Sequence, residues 1–300
     1  MPTILVATRD GLHAFAGDGS PGAVEHAGRD VTSLGRSRST YWAILDRSEL
    51  WHAEGDGWGH VAAVEGHRST FVSAMQGQVF VGSSEARLFR LEDGALRALE
   101  AFDTAPGRDT WYTPWGGPPD TRSIANWDED VYVNVHVGGI LRTSDGGATF
   151  TPTIDVDADV HHVTTFEDLV LAACAGGLAT SRDRGGTWTY RTEGLEAPYS
   201  RAVAVCGDQL LLSASDGPRG GHAAVYRSGL GEGSFERCRT GLPEWFDDNI
   251  DTYCLEAIPD GSLAAFGTAE GEVYASTDQG SSWERLASGL PRVHRVLLMP

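Results

Sequence analysis

One motif, S/T-x-D-x-G-x-[ST]-[WF], recurs along this chain and limits what it can fold into more than any other feature. It reads Thr143-Ser-Asp145-Gly-Gly147-Ala-Thr149-Phe150, Ser181-Arg-Asp183-Arg-Gly185-Gly-Thr187-Trp188 and Ser276-Thr-Asp278-Gln-Gly280-Ser-Ser282-Trp283. A fourth copy, Ser228-Gly-Leu230-Gly-Glu-Gly-Ser234-Phe235, keeps the spacing but puts Leu230 where the others have Asp. The logic of the motif is local. Asp and Ser/Thr side chains hydrogen-bond turn backbone, Gly supplies positive φ, and the aromatic opens the next strand and packs between sheets.

Around each turn the same larger unit returns: three apolar strands separated by Gly-rich turns, the motif, and a fourth strand. Residues 121–153, 160–195, 200–242 and 251–290 read this way. Upstream the motif fades but the strand rhythm persists, as VTSLG, YWAIL, ELWHA and HVAAV over 31–64 and as FVSAM, VFVGS, RLFRL and ALRAL over 70–102. The N-terminus supplies three further strands (ILVAT, GLHAF, AVEHA), and Val293-His294-Arg295-Val296-Leu297-Leu298 has the pattern of a first strand. The expectation is an all-β chain in one domain, residues 1–300. It is a seven-bladed β-propeller with four antiparallel strands per blade, closed by pairing the N-terminal strands with the C-terminal one, which removes free sheet edges.

The repeated turn resembles the Asp box, or BNR repeat, of sialidases and related propellers. The resemblance implies that these turns cap hairpins on the side away from the catalytic face, which makes Asp145, Asp183 and Asp278 structural. In sialidases an arginine triad holds the substrate carboxylate and a Tyr/Glu pair does the chemistry. Here the likeness covers the repeat across most of the chain but only two or three residues of such an active site, and sialidases have six blades.

Composition narrows the partners. With 23 basic and 42 acidic side chains the net charge is −19, which repels phosphate backbones and anionic lipid, so neither nucleic acid nor a membrane surface is expected as a partner. There is no lysine, which excludes Schiff-base chemistry and a P-loop lysine. Cys174, Cys206, Cys238 and Cys254 form no CxxC pair and read as buried thiols of a reducing cytoplasm. No signal-peptide pattern and no apolar run of spanning length is visible, so the cytoplasm is the expected location, and a monomer is expected because closed propellers are commonly monomeric.

Functional residues belong at the starts of the first strands and in the loops at that end. Aligning those strands by their apolar positions gives one column: His294, Thr32, Val72, Arg122, His161, Arg201 and Tyr253. Asp120, Asp159 and Asp251 stand two residues before it, able to orient its cationic heads or ligate a metal. Two long loops, 103–120 with Trp111, Tyr112 and Trp115, and 243–251 with Glu244, Trp245 and Asp248, lead into the same end.

Three function classes follow. The first is a small-molecule site, hydrolase-like, for an anionic or carbohydrate-like ligand. Arg122 and Arg201 would clamp it, Trp111, Tyr112 and Trp115 would stack on it, and His161 or Tyr253 would act as base or nucleophile with Asp248 or Glu244 as acid. The second is a divalent transition metal held by His136, His161 and His294, with Asp159 or Tyr253 as a further ligand. The third is a non-catalytic assembly propeller that binds protein through its aromatic loops.

Overall fold

The computed structural model describes residues 3–37, 40–55, 57–231 and 233–299; Glu232 of the fourth turn lies outside them. Its strands form seven four-stranded sheets in which consecutive strands pair in order, a seven-bladed β-propeller. Only one α-helical turn, Glu100–Asp103, and three short 3-10 turns interrupt the β structure among the described residues. No helix is long and apolar enough to cross a membrane among those residues.

The first strands of blades one to seven are Val293–Met299, Val31–Arg36, Ser69–Met75, Thr121–Trp127, Val160–Phe166, Tyr199–Cys206 and Leu255–Ala257. Two compact units make up the chain. The first comprises Met1–Arg29, Leu171–Thr180 and Thr189–Pro300, and the second comprises Asp30–Val170 and Ser181–Trp188. Within the first unit the leading strands of blades six, seven and one lie side by side, and within the second so do those of blades two to five.

Burial follows strand position. The second strands of blades four and five, Asp130–Val135 and Leu169–Cys174, are buried at every residue, as sequences such as LVLAAC require of strands covered on both faces. Fourth strands such as Pro21–Glu25 and Thr151–Pro152 are exposed and short or polar, which blunts the sheet edges. Side chains stitch neighbouring leading strands together in the second unit. Ser33 Oγ accepts from the Val72 amide at 3.0 Å, and Ser123 Oγ accepts from the Val163 amide at 2.9 Å.

The repeated turn has the same hydrogen bonds in all three complete copies. Thr143 Oγ1 donates to Asp145 Oδ1 at 2.8 Å and accepts from the Gly147 amide at 3.0 Å, while Thr149 donates its amide and hydroxyl to the two Asp145 oxygens at 2.9 and 2.7 Å. Asp183 and Asp278 repeat this with Ser181, Thr187, Ser276 and Ser282. The aromatics close the turns onto the sheets: Phe150 meets Phe102 at 5.1 Å between ring centroids, Trp283 meets Phe266 at 4.9 Å, and Trp188 Nε1 donates to the Thr153 carbonyl at 2.7 Å. Where the fourth turn lacks its Asp, Arg191 of the preceding blade replaces the missing brace. Its Nη2 donates to Ser228 Oγ at 2.7 Å and to the Gly233 carbonyl at 3.0 Å.

Blade one is completed by both ends of the chain. Val293–Met299 pairs antiparallel with Thr3–Thr8, setting Ile4 against Leu298 and Val6 against Val296, all four fully buried. Each such side chain contributes about 1.5–3 kcal/mol of burial, comparable in sum with the whole stability of a typical domain. A chain ending at Arg292 is therefore expected to lose cooperative thermal unfolding; a melt like that of the full chain would show that the closing strand is dispensable.

The turn carboxylates add a pH dependence. The Thr149 hydroxyl and amide, with the Thr143 hydroxyl, hold the Asp145 carboxyl down at about 2, and the same kind of bonds lower Asp183. Because the folded value lies below the unfolded one, near 4, the stabilisation is present above about pH 4 and is lost as pH falls toward 2. Asp145→Asn should lower the melting temperature at pH 7, and the gap from wild type should close on acidification. A gap that stays constant to pH 2 would contradict this account.

Candidate functional site

The leading strands share an irregularity that the apolar pattern does not announce. In blade four Thr121 pairs with Val135 and Ser123 with Asn134, so Arg122 is an extra residue, a β-bulge. The same slip leaves Thr32 extra in blade two and Thr70 in blade three. In the first unit it leaves Arg201 extra in blade six and His294 in blade one. A bulge bends its strand and re-aims the extra side chain, and bulges recur beside active sites for that reason. His161 and Tyr253 occupy the corresponding sequence positions, and Tyr253 has φ 63°, a left-handed conformation rare for an aromatic residue. Val72 does not belong to this column. It is buried and paired with Val81, and Thr70 takes its place because the bulge shifts any alignment made on apolar positions.

In the second unit the structure brings His136, Asp159 and His161 together. His136 Nε2 lies 3.2 Å from Asp159 Oδ1 and His161 Nε2 3.6 Å from Asp159 Oδ2. The imidazole centroids are 5.5 Å apart, and the indole of Trp115 lies 5.3 Å from His136. Burial pushes the Asp159 carboxyl up, but the two imidazoles facing it outweigh this and hold it far below the ordinary carboxylate range. His161 is fully buried, whereas Trp115 is 67 % exposed.

The backbone that presents these groups is strained and over-determined. Asp159 has φ 46° and Val137, next to His136, has φ 54°, which for a β-branched residue is a genuine outlier. The surroundings fix both. Asn134 Nδ2 donates to the Val160 carbonyl at 2.9 Å while its Oδ1 accepts from Ser123 Oγ at 3.2 Å, and the His136 amide donates to the Asp120 carbonyl at 2.9 Å. Asp120 is itself ion-paired with Arg68 at 2.5 Å.

The long loop of this unit divides in two. Trp111 serves as an anchor: it packs on Phe102 at 5.9 Å and under the Arg108 guanidinium at 5.0 Å, and Arg108 Nη1 donates to the Ala86 carbonyl at 2.7 Å. Tyr112 and Trp115 stand out from it, 51 % and 67 % exposed. Arg122 is half-buried at its bulge.

The first unit carries the remaining candidates. Arg201 Nη1 lies 3.2 Å from Asp251 Oδ1, while its Nε is buried with no hydrogen-bond partner among the described residues. Asp248 accepts from Arg292 Nη1 at 2.8 Å and from the Asn249 amide at 2.7 Å, so its carboxylate is already engaged. Trp245 lies under the Arg237 guanidinium at 3.7 Å. His294 sits at its bulge in this unit; the His136–Asp159–His161 cluster has three members without it. The four cysteines are buried and free, and burial pushes the Cys254 thiol up to about 12, which leaves it inert.

The residue that sequence reasoning passed over is Arg295. Its guanidinium lies 3.8 Å from the centroid of the Tyr253 ring. The residue is 7 % exposed, and its Nε and Nη1 are buried without a hydrogen-bond partner among the described residues. A signal was present. Arg295 follows a bulge residue where blades two, four and six carry Ser33, Ser123 and Ala202 and blade three carries Phe71, all buried and none of them charged.

The sequence matches no family model and no curated protein. Solved structures do share the fold. YCF48 from Cyanidioschyzon merolae superposes with a TM-score of 0.63 at 14% identity, over 87% of this chain and 86% of that one. YCF48 bound to a D1 peptide gives 0.59 at 13%, over 88% and 84%. An ancestral GH74 enzyme gives 0.65 at 14%, over 86% of this chain but only 38% of its own. At such identities the likeness establishes the fold alone.

The turn after His136 offers a direct check on how closely the site is set. A Cβ added at Gly138 would lie 2.5 Å from Val135 Cγ1 and 3.1 Å from Trp111 Cγ. Gly138→Ala should cost about 1–3 kcal/mol in denaturant unfolding and change the tryptophan emission of the folded protein. A variant as stable as wild type would mean that the turn is not tightly packed.

Proposed function

We propose that this propeller binds a small anionic molecule in its first unit, with Arg295 as the anchoring cation. The observation that carries the reading is the state of that guanidinium: buried, stacked on Tyr253, and with Nε and Nη1 bonded to no described residue. An uncompensated buried charge costs several kcal/mol, and an oxyanion accepting from those N–H groups offsets the cost. Arg201, on the leading strand of the blade next to that of Tyr253, adds an unused Nε as a second donor. Carboxylate, sulfate and phosphate share the chemistry required, and arginine suits all three.

Hydrolysis of the sialidase kind is the weaker part of the expectation. Asp248, one of the two expected acids, accepts from Arg292 Nη1 at 2.8 Å and from the Asn249 amide at 2.7 Å, so its oxygens are already engaged. The reading is therefore of binding first, on a propeller whose repeated turns we take to be Asp boxes. A second reading, docking of a protein segment, is favoured by exposed Tyr112 and Trp115; among the similar structures, YCF48 is bound to a D1 peptide.

Calorimetric titration with acetate, sulfate and inorganic phosphate at fixed ionic strength separates the two. Wild type should bind at least one of these ions, and Arg295→Gln should weaken that binding at least about tenfold, the loss expected for hydrogen bonds to a charged group. Trp115→Ala should leave it within about twofold. Equal affinity in wild type and Arg295→Gln, or no binding by wild type, would contradict the anion site, and loss of partner binding on Trp115→Ala alone would support docking.

A further inference from the structure

We infer that His136, Asp159 and His161 are the protein ligands of a divalent transition metal ion, a site independent of the Arg295 reading. The three residues reach one point from two neighbouring blades. His136 follows the second strand of blade four, Asp159 ends the 3-10 turn Val156–Ala158, and His161 stands at the start of the leading strand of blade five. One nitrogen from each imidazole and one carboxylate oxygen all lie within 4.8 Å of one another.

The spacing of the three groups suits a shared ion. A separation of 3.6 Å between His161 Nε2 and Asp159 Oδ2 is too long for an N–H···O hydrogen bond. Two ligand atoms on one zinc-like ion, with bonds of about 2.1 Å, lie about 3.0 to 3.4 Å apart. The 3.2 Å from His136 Nε2 to Asp159 Oδ1 falls in that interval, His161 Nε2 lies 3.6 Å from the other carboxylate oxygen, Oδ2, and the set, within 4.8 Å, closes on the ion by side-chain adjustment.

The donor set selects the class of ion. Two imidazoles and one carboxylate suit zinc, iron or a similar first-row dication, while calcium and magnesium prefer oxygen throughout. Three protein ligands leave coordination positions open, the pattern of sites that bind water or an exogenous ligand, in contrast to the closed four-ligand structural sites. Trp115 stands beside His136, so a ligand of the ion would meet its ring. The strained Asp159 and Val137, held by the Asn134 and Asp120 hydrogen bonds, supply the outer support that fixes metal ligands in direction. His294 takes no part in this set.

The test uses the full chain, stripped with chelator and titrated with Zn2+ by calorimetry and with Co2+ by optical absorption. The expected result is one ion per chain, with affinity at least about tenfold weaker in His136→Gln and in Asp159→Asn. Arg295→Gln should bind the ion as wild type does, so failure of the anion site and failure of the metal site are told apart. Because substitution beside buried His161 can compromise folding, quenching of tryptophan emission by Cu2+ in wild type and in Trp115→Phe gives a second readout; the quench should shrink in the variant. Substoichiometric binding by wild type, unchanged affinity in folded His136→Gln and Asp159→Asn, or an unchanged quench in Trp115→Phe would overturn the site.

Discussion

Long polar side chains stand on the otherwise buried leading strands because several of those strands carry one extra residue near their start. In a regular antiparallel pair, alternation sends successive side chains to opposite faces, and in a propeller blade both faces are covered by neighbouring sheets. A long polar side chain on such a strand would be buried among Val, Ile and Ala. The bulge changes that locally. It makes Thr32, Thr70, Arg122, Arg201 and His294 the extra residues of their strands, while the residues that follow return to the regular register.

The two ends of each blade then have different tasks. At one end the turn carboxylates accept three hydrogen bonds each from backbone and hydroxyl groups of their own turn, and Arg191 takes over where Asp is missing. At the other end the buried polar groups are incompletely used: Arg295 and Arg201 keep N–H groups to spare, and Asp159 faces two imidazoles at distances suited to a shared ion. Buried polar groups are ordinarily satisfied, so such exceptions call for a ligand.

The fold was legible in the sequence because its causes are local. The Asp, Gly and aromatic of each turn are neighbours in the chain, and the strand rhythm repeats often enough to count blades and to see that the ends must share one. The site was legible only in part. His136 and His161 were within reach as polar residues at strand ends, and Asp159 as an acid preceding the column. Their convergence depends on the left-handed turn at Val137, which no residue preference announces. The Thr70 position was misread as Val72 because a bulge is invisible to apolar periodicity. Arg295 was passed over and Trp111 was taken for a ligand-stacking residue, because the ring against Arg295 and the groups that anchor Trp111 are not their neighbours in the strand pattern.

The most direct test of this division is an anomalous difference map at the zinc edge from crystals grown with Zn2+. The account predicts the strongest peak within bonding distance of His136, Asp159 and His161, with nothing at the turn carboxylates. A strongest peak at Asp145, Asp183 or Asp278, with none at the histidines, would contradict it.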